Sequence, residues 1–298
     1  MHIPDGYLDL SISLLLWILS GAVLGYSLKK VADSKNINTP LIGVISAAVF
    51  AAQMLNWPIP GGTSAHFVGG SLAGILLGPY AGSIAMASVV AIQAFLYGDG
   101  GLIALGANLW NMSVVNVFAG WYIFRLIEKH NRFAAAFTSG WIGITAAAVF
   151  VGLEVGLSSA FKYSAVVAVS AMGLWHGLLG LIEGFITAGV VGYIHSNRPD
   201  IEKYGEAESF GRLPLAIVGI MIILSPVFAY LAEMVGYSEP LENVAEELGL
   251  RENQKYSGLF PDYTVPGMND YIGTLISGAV GVMIFLSLAL MRRYAPAD

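Results

Sequence analysis

The chain has 298 residues, of which 56% are apolar and only 11% are charged. Soluble domains carry about 25% charged residues, so this composition excludes an ordinary soluble enzyme and indicates an integral membrane protein. The absence of cysteine excludes disulfides and thiolate metal sites, and the net charge of −6 argues against nucleic-acid binding.

The chain opens with Met1-His2-Ile3-Pro4-Asp5-Gly6, and its first lysine is Lys29. A secretory signal peptide needs a basic start, so none is expected here. Met1 is expected to remain, because a bulky second residue blocks methionine removal. The terminal amine, the His2 amide and the His2 imidazole Nδ1 then lie on one short stretch of chain and can chelate one ion through fused rings.

A second histidine, His66, ends the turn Pro60-Gly61-Gly62-Thr63-Ser64-Ala65-His66. Its Nε2 can supply the fourth nitrogen that the three donors at His2 leave open. Four nitrogens in a plane suit Ni²⁺ or Cu²⁺, and Ni²⁺ outranks Co²⁺ in affinity although both take imidazole. His2 alone reads as a solvated terminal residue and His66 alone as a helix cap. The pair predicts a metal site whose ligands are Met1, His2 and His66.

Nine apolar segments follow one another along the chain. A helix needs about 20 apolar residues to span the hydrocarbon, so most of the nine are candidate transmembrane helices. The third is short. It is either a half-helix buried among its neighbours or one arm of a broken hairpin with the fourth, hinged at Gly78-Pro79, and such segments often lie at transporter binding sites. The segments are 8–28, 40–56, 66–78, 80–97, 104–126, 134–160, 166–194, 213–236 and 271–291.

The basic residues predict the orientation. With nine spans, all but Lys162, Arg251 and Lys255 fall on one side of the membrane. The positive-inside rule then places the N-terminus outside and the C-terminus in the cytoplasm. Residues 1–7, the 57–65 turn and the 98–103 loop share the outer face, where His2 and His66 can meet.

The expected fold is all-α, with a seven-segment bundle followed by two further transmembrane helices. We place the metal-binding domain at 1–200 and a second domain at 201–298, whose two spans are separated by an acidic outer loop. In that loop, the stretch from Leu241 to Leu250 predicts a short amphipathic helix.

Several polar residues lie in or beside the apolar segments, where they are costly and often functional. They either form hydrogen bonds between helices or accept the second N–H of a metal-bound histidine, and the sequence leaves both readings open. Glu183 lies deeper, and we expect it to have a structural or conformational role. The candidates for the supporting role at the metal are Asp5, Ser64, Asn108, Asn111 and His176.

The opening hexapeptide and the turn that ends in His66 resemble the CbiM/NikM substrate-binding (S) components of energy-coupling factor transporters for cobalt and nickel. The resemblance covers about residues 1–200 and implies that Met1, His2 and His66 hold the ion. The tail resembles the NikN-like, PDGLE-type partner, here fused, with Ser238-Glu239-Pro240-Leu241-Glu242 in place of Pro-Asp-Gly-Leu-Glu. The likeness leaves open whether the tail loads the metal or holds the N-terminal loop.

The resemblance also implies a prokaryotic cell membrane location, Ni²⁺ or Co²⁺ as transported substrate, a transmembrane coupling (T) subunit and two cytosolic ATPase subunits. The chain has no Gly-x-x-x-x-Gly-Lys-Ser/Thr phosphate loop, so we expect a non-catalytic subunit that contacts lipid and these partners, and no nucleic acid. Gly21 and Gly25 allow close helix packing, within the bundle or against the coupling subunit.

Two other functions are weighed against this one. A stand-alone secondary metal transporter or channel needs an ionisable relay through the membrane midplane, for which only Glu183 and His176 qualify. A membrane metalloenzyme needs an open coordination position and a general base.

Overall fold

The computed structural model describes residues 1–34, 38–59, 63–197, 212–234, 239–254 and 256–291. Residues 60–62 of the predicted turn and most of the polar linker lie outside these ranges. The helices are α1 (Leu10–Ala32), α2 (Thr39–Gln53), α3 (Gly70–Leu77), α4 (Pro79–Ile92), α5 (Leu105–Asn108), α6 (Asn116–Ile127), α7 (Arg132–Leu157), α8 (Ala165–Asn197), α9 (Arg212–Glu233), α10 (Pro240–Glu247) and α11 (Asp270–Met291). Strands β1 (Trp57–Ile59) and β2 (Thr63–Ala65) form an antiparallel hairpin.

All nine apolar segments are helical in the described residues, which confirms the predicted all-α membrane fold. The π-helical turn Gln93–Tyr97 continues α4, and the π-helical stretch Leu109–Val115 joins α5 to α6. Within the described ranges, six helices are long and apolar enough to cross a membrane by themselves: Leu10–Ala32, Pro79–Tyr97, Arg132–Leu157, Ala165–Asn197, Leu213–Glu233 and Asp270–Ser287.

The third apolar segment is the short arm of a hairpin. Helix α3 has 8 residues, which rise about 12 Å and cannot cross a hydrocarbon core of about 30 Å. Gly78 turns the chain at a φ of 79° before Pro79 starts α4. A Cβ on Gly82 would lie 2.8 Å from the Ala73 carbonyl carbon, so this glycine lets the two arms touch.

The N-terminal loop is buried in the main apolar core. Met1 is 4% exposed, and Ile3 and Tyr7 are fully buried. Leu241 and Ala245 of α10 belong to the same core cluster. The beginning of the chain is therefore packed inward and held beneath a segment of the C-terminal part.

The amphipathic helix predicted from Leu241 to Leu250 is confirmed as α10, which ends three residues earlier. Gly249 has a φ of 81°, and the N–H of Leu250 donates to the Ala245 carbonyl, so the chain turns in a glycine-terminated helix end. Leu250 is buried and Glu246 is exposed, as the pattern requires.

The last helix joins the C-terminal part to the first bundle. Phe50 of α2 packs against Tyr97 and Phe285, at ring-centroid distances of 5.4 and 5.6 Å. A Cβ on Gly281 would overlap the Phe50 ring, so the glycine allows α11 to approach α2.

Candidate metal centre

Asn108 holds the backbone next to His2. Its Oδ1 accepts the N–H of Ile3 at 2.7 Å, and its Nδ2 donates to the Ile3 carbonyl at 3.1 Å. The N–H of Gly101 also donates to that carbonyl at 3.0 Å. The Asn108 side-chain amide thus pairs with both backbone groups of Ile3, as a neighbouring β-strand would, and fixes the peptide unit that follows His2.

Asp5 ties the N-terminal loop to two other loops. Its Oδ1 accepts the N–H groups of Ile103 and Ala104 at 2.9 and 3.1 Å. Its carbonyl accepts the N–H of Asn253 at 2.7 Å. Asp5 therefore supports the site through the backbone rather than by contact with a candidate ligand.

The imidazole of His2 lies between two polar side chains at the C-terminal end of α4. Its Nδ1 is 3.0 Å from Asp99 Oδ1, and its Nε2 is 3.2 Å from Gln93 Oε1. Gln93 is itself oriented, because its Nε2 donates to Gln53 Oε1 at 2.6 Å. Only 4% of the His2 side chain is exposed.

The β-hairpin and Glu183 position His66. The chain leaves β2 at Ala65, which pairs with Trp57, so His66 starts the return into α3. The two Glu183 oxygens accept the N–H groups of Val68 and Gly69 at 2.9 and 2.8 Å. Glu183 thus holds the backbone that follows His66, in agreement with the structural role expected for it.

The two histidines meet. Their rings are stacked, with centroids 5.7 Å apart and an interplanar angle of 25°. His66 Nδ1 lies 2.9 Å from the carbonyl oxygen of Phe67. With Nδ1 directed at that carbonyl, Nε2 is the ring nitrogen that remains to bind an ion.

Burial lowers the pKa of two of the candidate donors. It lowers the pKa of the Met1 amine to about 5, against the opposing charge of Asp99, and it lowers the pKa of His66 to about 3. Burial raises the pKa of Asp99, but its interactions with His2 and the hydrogen bond from Tyr263 together hold that pKa well below its usual range. The lowered pKa values favour the lone-pair forms of the amine and of His66, and Asp99 places a negative charge beside them.

Sequence reasoning missed Glu239 as a residue of this site. Its Oε2 contacts the Met1 nitrogen, and its Oε1 is 2.7 Å from His66 Nε2. One ligand atom each from His2, His66 and Glu239 lie within 4.8 Å of one another. The one signal in the sequence is an acidic residue where the PDGLE pattern has its aspartate.

The remaining candidates lie in different places. Ser64 is buried in β2 opposite Pro58. His176 lines a small cavity together with Met1 and His66, and its Nδ1 lies 3.1 Å from the carbonyl oxygen of Met172. The Asn111 side-chain amide donates to Glu154 Oε2 at 2.7 Å, so this amide is directed at the neighbouring helix α7.

Gly21 and Gly25 lie on the outside of the bundle. Both are exposed, and a Cβ on either would meet no atom of the described residues within 4 Å. Within the part of the chain that the structure describes, they are therefore not used to pack one helix against another.

Replacing Asn108 with alanine is expected to lower the Ni²⁺ affinity about 10–100-fold, the usual cost of losing an outer-shell partner. The variant keeps every candidate ligand but frees the peptide after His2. Competition with a chromogenic chelator measures the affinity. Asn111→Ala, one turn away and bonded to Glu154, is the matched control. Equal losses in both variants would contradict the role given to Asn108.

Comparison with known families covers both parts of the chain. Residues 2–201 match the CbiM family, described as the cobalt uptake substrate-specific transmembrane region. Residues 232–295 match the PDGLE domain. The first match includes the N-terminal loop and His66, and the second includes Glu239.

Curated relatives and solved structures match as well. The "Putative fused nickel transport protein NikMN" of Archaeoglobus fulgidus is 61% identical over 99% of both chains. The cobalt transport protein CbiM of Geobacter sulfurreducens is 32% identical over 71% of this chain and 64% of its own. A crystal structure described as a transition metal transporter superposes with a TM-score of 0.61 at 35% identity, covering 70% of this chain and 100% of that one. The chain therefore belongs to the CbiM family and carries a fused PDGLE domain.

Proposed function

We propose that this chain is the substrate-capture subunit of an ATP-driven energy-coupling factor importer, which binds Ni²⁺ by preference and also Co²⁺. The observation that carries the proposal is the convergence of the buried Met1 amine with the His2 and His66 imidazoles. Relatives of the chain are named nickel and cobalt transport proteins, which supports the same substrates.

The ion is held by four nitrogens: the Met1 amine, the deprotonated His2 amide, His2 Nδ1 and His66 Nε2. The first three form fused chelate rings, and the fourth closes the square that Ni²⁺ favours. In binding, the ion replaces Asp99 at His2 Nδ1, and it replaces Glu239 at the Met1 amine and at His66 Nε2. Both carboxylates stay close enough to balance its charge.

The site faces the outside of the cell. Since the basic residues favour a cytoplasmic C-terminus, the N-terminal loop, the β-hairpin and the 98–103 loop lie at the extracytoplasmic end. Transport then requires movement of the loaded chain against a transmembrane coupling subunit, with energy from two cytosolic ATPase subunits. The exposed face of α1 at Gly21 and Gly25 is the proposed contact.

The test of the proposal is the spectrum of the purified chain with its natural start. One Ni²⁺ per chain should give a yellow, diamagnetic complex, because four strong in-plane nitrogens pair the electrons of the ion. A green, paramagnetic complex would contradict the planar site. Vesicles that contain this chain alone should accumulate no Ni²⁺, whereas uptake without ATP or partners would favour a secondary transporter or channel.

Metal binding at pH 7.5 is expected to release about one proton per Ni²⁺, that of the His2 amide. An amine with its ordinary pKa of about 8 would add nearly a second proton. Burial lowers this pKa to about 5, so the amine is already neutral and adds its proton only as the pH falls toward 5. Calorimetry in buffers of different ionisation enthalpy counts the protons. A release near two at pH 7.5 would refute the neutral amine.

A further inference from the structure

We propose that Glu239 is a transient metal ligand, which captures the arriving ion together with the two histidines and hands it to the four-nitrogen site. The proposal rests on the function proposed above and assigns a chemical task to the PDGLE domain. It makes the C-terminal part of the chain a direct participant in metal loading.

The first argument is the donor set. His2, His66 and Glu239 each offer one ligand atom within 4.8 Å of the others, the spacing at which three groups bind a single ion. Two imidazoles and a carboxylate on one side of an ion suit divalent metals that keep water on their open positions. An arriving hydrated Ni²⁺ or Co²⁺ can therefore bind here before its water is fully removed.

The second argument is the order in which the groups lie beneath the surface. Side-chain exposure falls from 13% for Glu239 to 6% for His66 and 1% for Met1. An ion that comes from the surface meets the carboxylate before it meets the terminal amine. Glu239 is thus placed at the first step of binding rather than the last.

The third argument is the exchange of partners. Glu239 contacts the Met1 nitrogen and His66 Nε2, and both are donors in the planar site. The ion must replace the carboxylate at each of them before the square is complete. Because the four nitrogens fill that square, Glu239 leaves the coordination sphere when loading ends.

The backbone at Glu239 is fixed, so the carboxylate can be released without unfolding the segment. The backbone N–H of Glu239 donates a hydrogen bond to Glu242 Oε2 at 2.9 Å, at the start of α10. Leu241 is 4% exposed and anchors α10 in the same core as Met1. Rotation of one side chain is then enough to free the two nitrogens.

The experiment is stopped-flow mixing of metal-free protein with Ni²⁺, with the yellow planar absorption as the signal. Glu239→Gln removes the carboxylate charge and most of its metal affinity, and Glu246→Gln is the matched control, which removes an exposed acidic group from α10, the helix that follows Glu239. Glu239→Asp keeps a carboxylate but shortens its reach. Thermal melting of each variant in detergent shows which of them remain folded.

We expect Glu239→Gln to slow loading at least about 10-fold, with the final spectrum and stoichiometry unchanged. Glu239→Asp should load at an intermediate rate and Glu246→Gln within about twofold of the unaltered protein. If the acidic residues only steered the ion by their combined charge, removing either one would slow loading by a similar factor. Equal slowing in Glu239→Gln and Glu246→Gln would therefore overturn the proposal.

Two other results would also overturn it. Loading of Glu239→Gln at the unaltered rate would leave the carboxylate as a structural contact, and a changed final spectrum would make it a permanent ligand. If Glu239→Gln does not fold, an unaltered rate in Glu239→Asp has the same meaning. Failure of the unaltered protein to form the planar complex would refute the proposed four-nitrogen site instead.

Discussion

Replacing His66 with alanine is expected to abolish the planar Ni²⁺ complex while the protein remains folded. The three donors at Met1 and His2 would persist, but a water would have to close the square. Since the loss of an outer-shell partner alone costs 10–100-fold, we expect the loss of a ligand to weaken binding more than about 100-fold. The backbone at this turn is held by Glu183 through Val68 and Gly69, and those contacts do not involve the imidazole.

Chelator competition and the absorption spectrum measure this loss. His130→Ala is the control, because His130 is exposed beyond α6 and contributes nothing to the site. Its affinity should equal that of the unaltered protein. A yellow complex of unaltered affinity in His66→Ala would remove the fourth nitrogen from the proposal and leave the site without its link to the β-hairpin.

The meeting of His2 and His66 could be predicted because it follows from topology. Each apolar segment takes the chain to the opposite side of the membrane. Because two such segments separate the N-terminal loop from the 57–65 turn, both lie at the same end of the bundle. The hairpin at Gly78 returns the chain to that same end before the 98–103 loop, even though α3 is only 8 residues long. Burial of the terminal amine also follows, because Ile3 and Tyr7 are apolar residues with no other place to pack.

The carboxylates of the site could not be derived in the same way. Glu239 and Met1 are 238 positions apart, and no periodicity relates a loop of the second domain to the first residue. Asp99 and Gln93 are polar residues around the end of the fourth apolar segment. Nothing in their spacing indicated that they flank His2 on its two nitrogens.

Asn108 and Asn111 show a second limit of sequence reasoning. Three residues apart on an α-helix, they would lie on neighbouring parts of one face and share a partner. The helix widens into a π-helical stretch at Leu109, between them. The wider turn changes their angular offset, and one amide reaches Ile3 while the other reaches Glu154.

Extending the chain by a few residues before Met1 is expected to eliminate planar Ni²⁺ binding. The extension converts the primary amine of Met1 into the nitrogen of a peptide bond. The amine is one of four donors, so its loss again costs more than about 100-fold. The added residues must also displace Met1, a residue that is only 4% exposed and whose nitrogen contacts Glu239.

The extended protein provides its own control when the extension ends in a protease site cut immediately before Met1. Before cleavage the protein should show no yellow absorption with Ni²⁺, and after cleavage the same sample should recover it. An extension of equal length at Asp298 should have no effect at any stage. Because the sequence of the mature chain is identical before and after the cut, recovery can be assigned to the freed nitrogen. Planar binding by the uncut protein would show that this nitrogen is not a ligand, and that the inward packing of the first residue serves the fold alone.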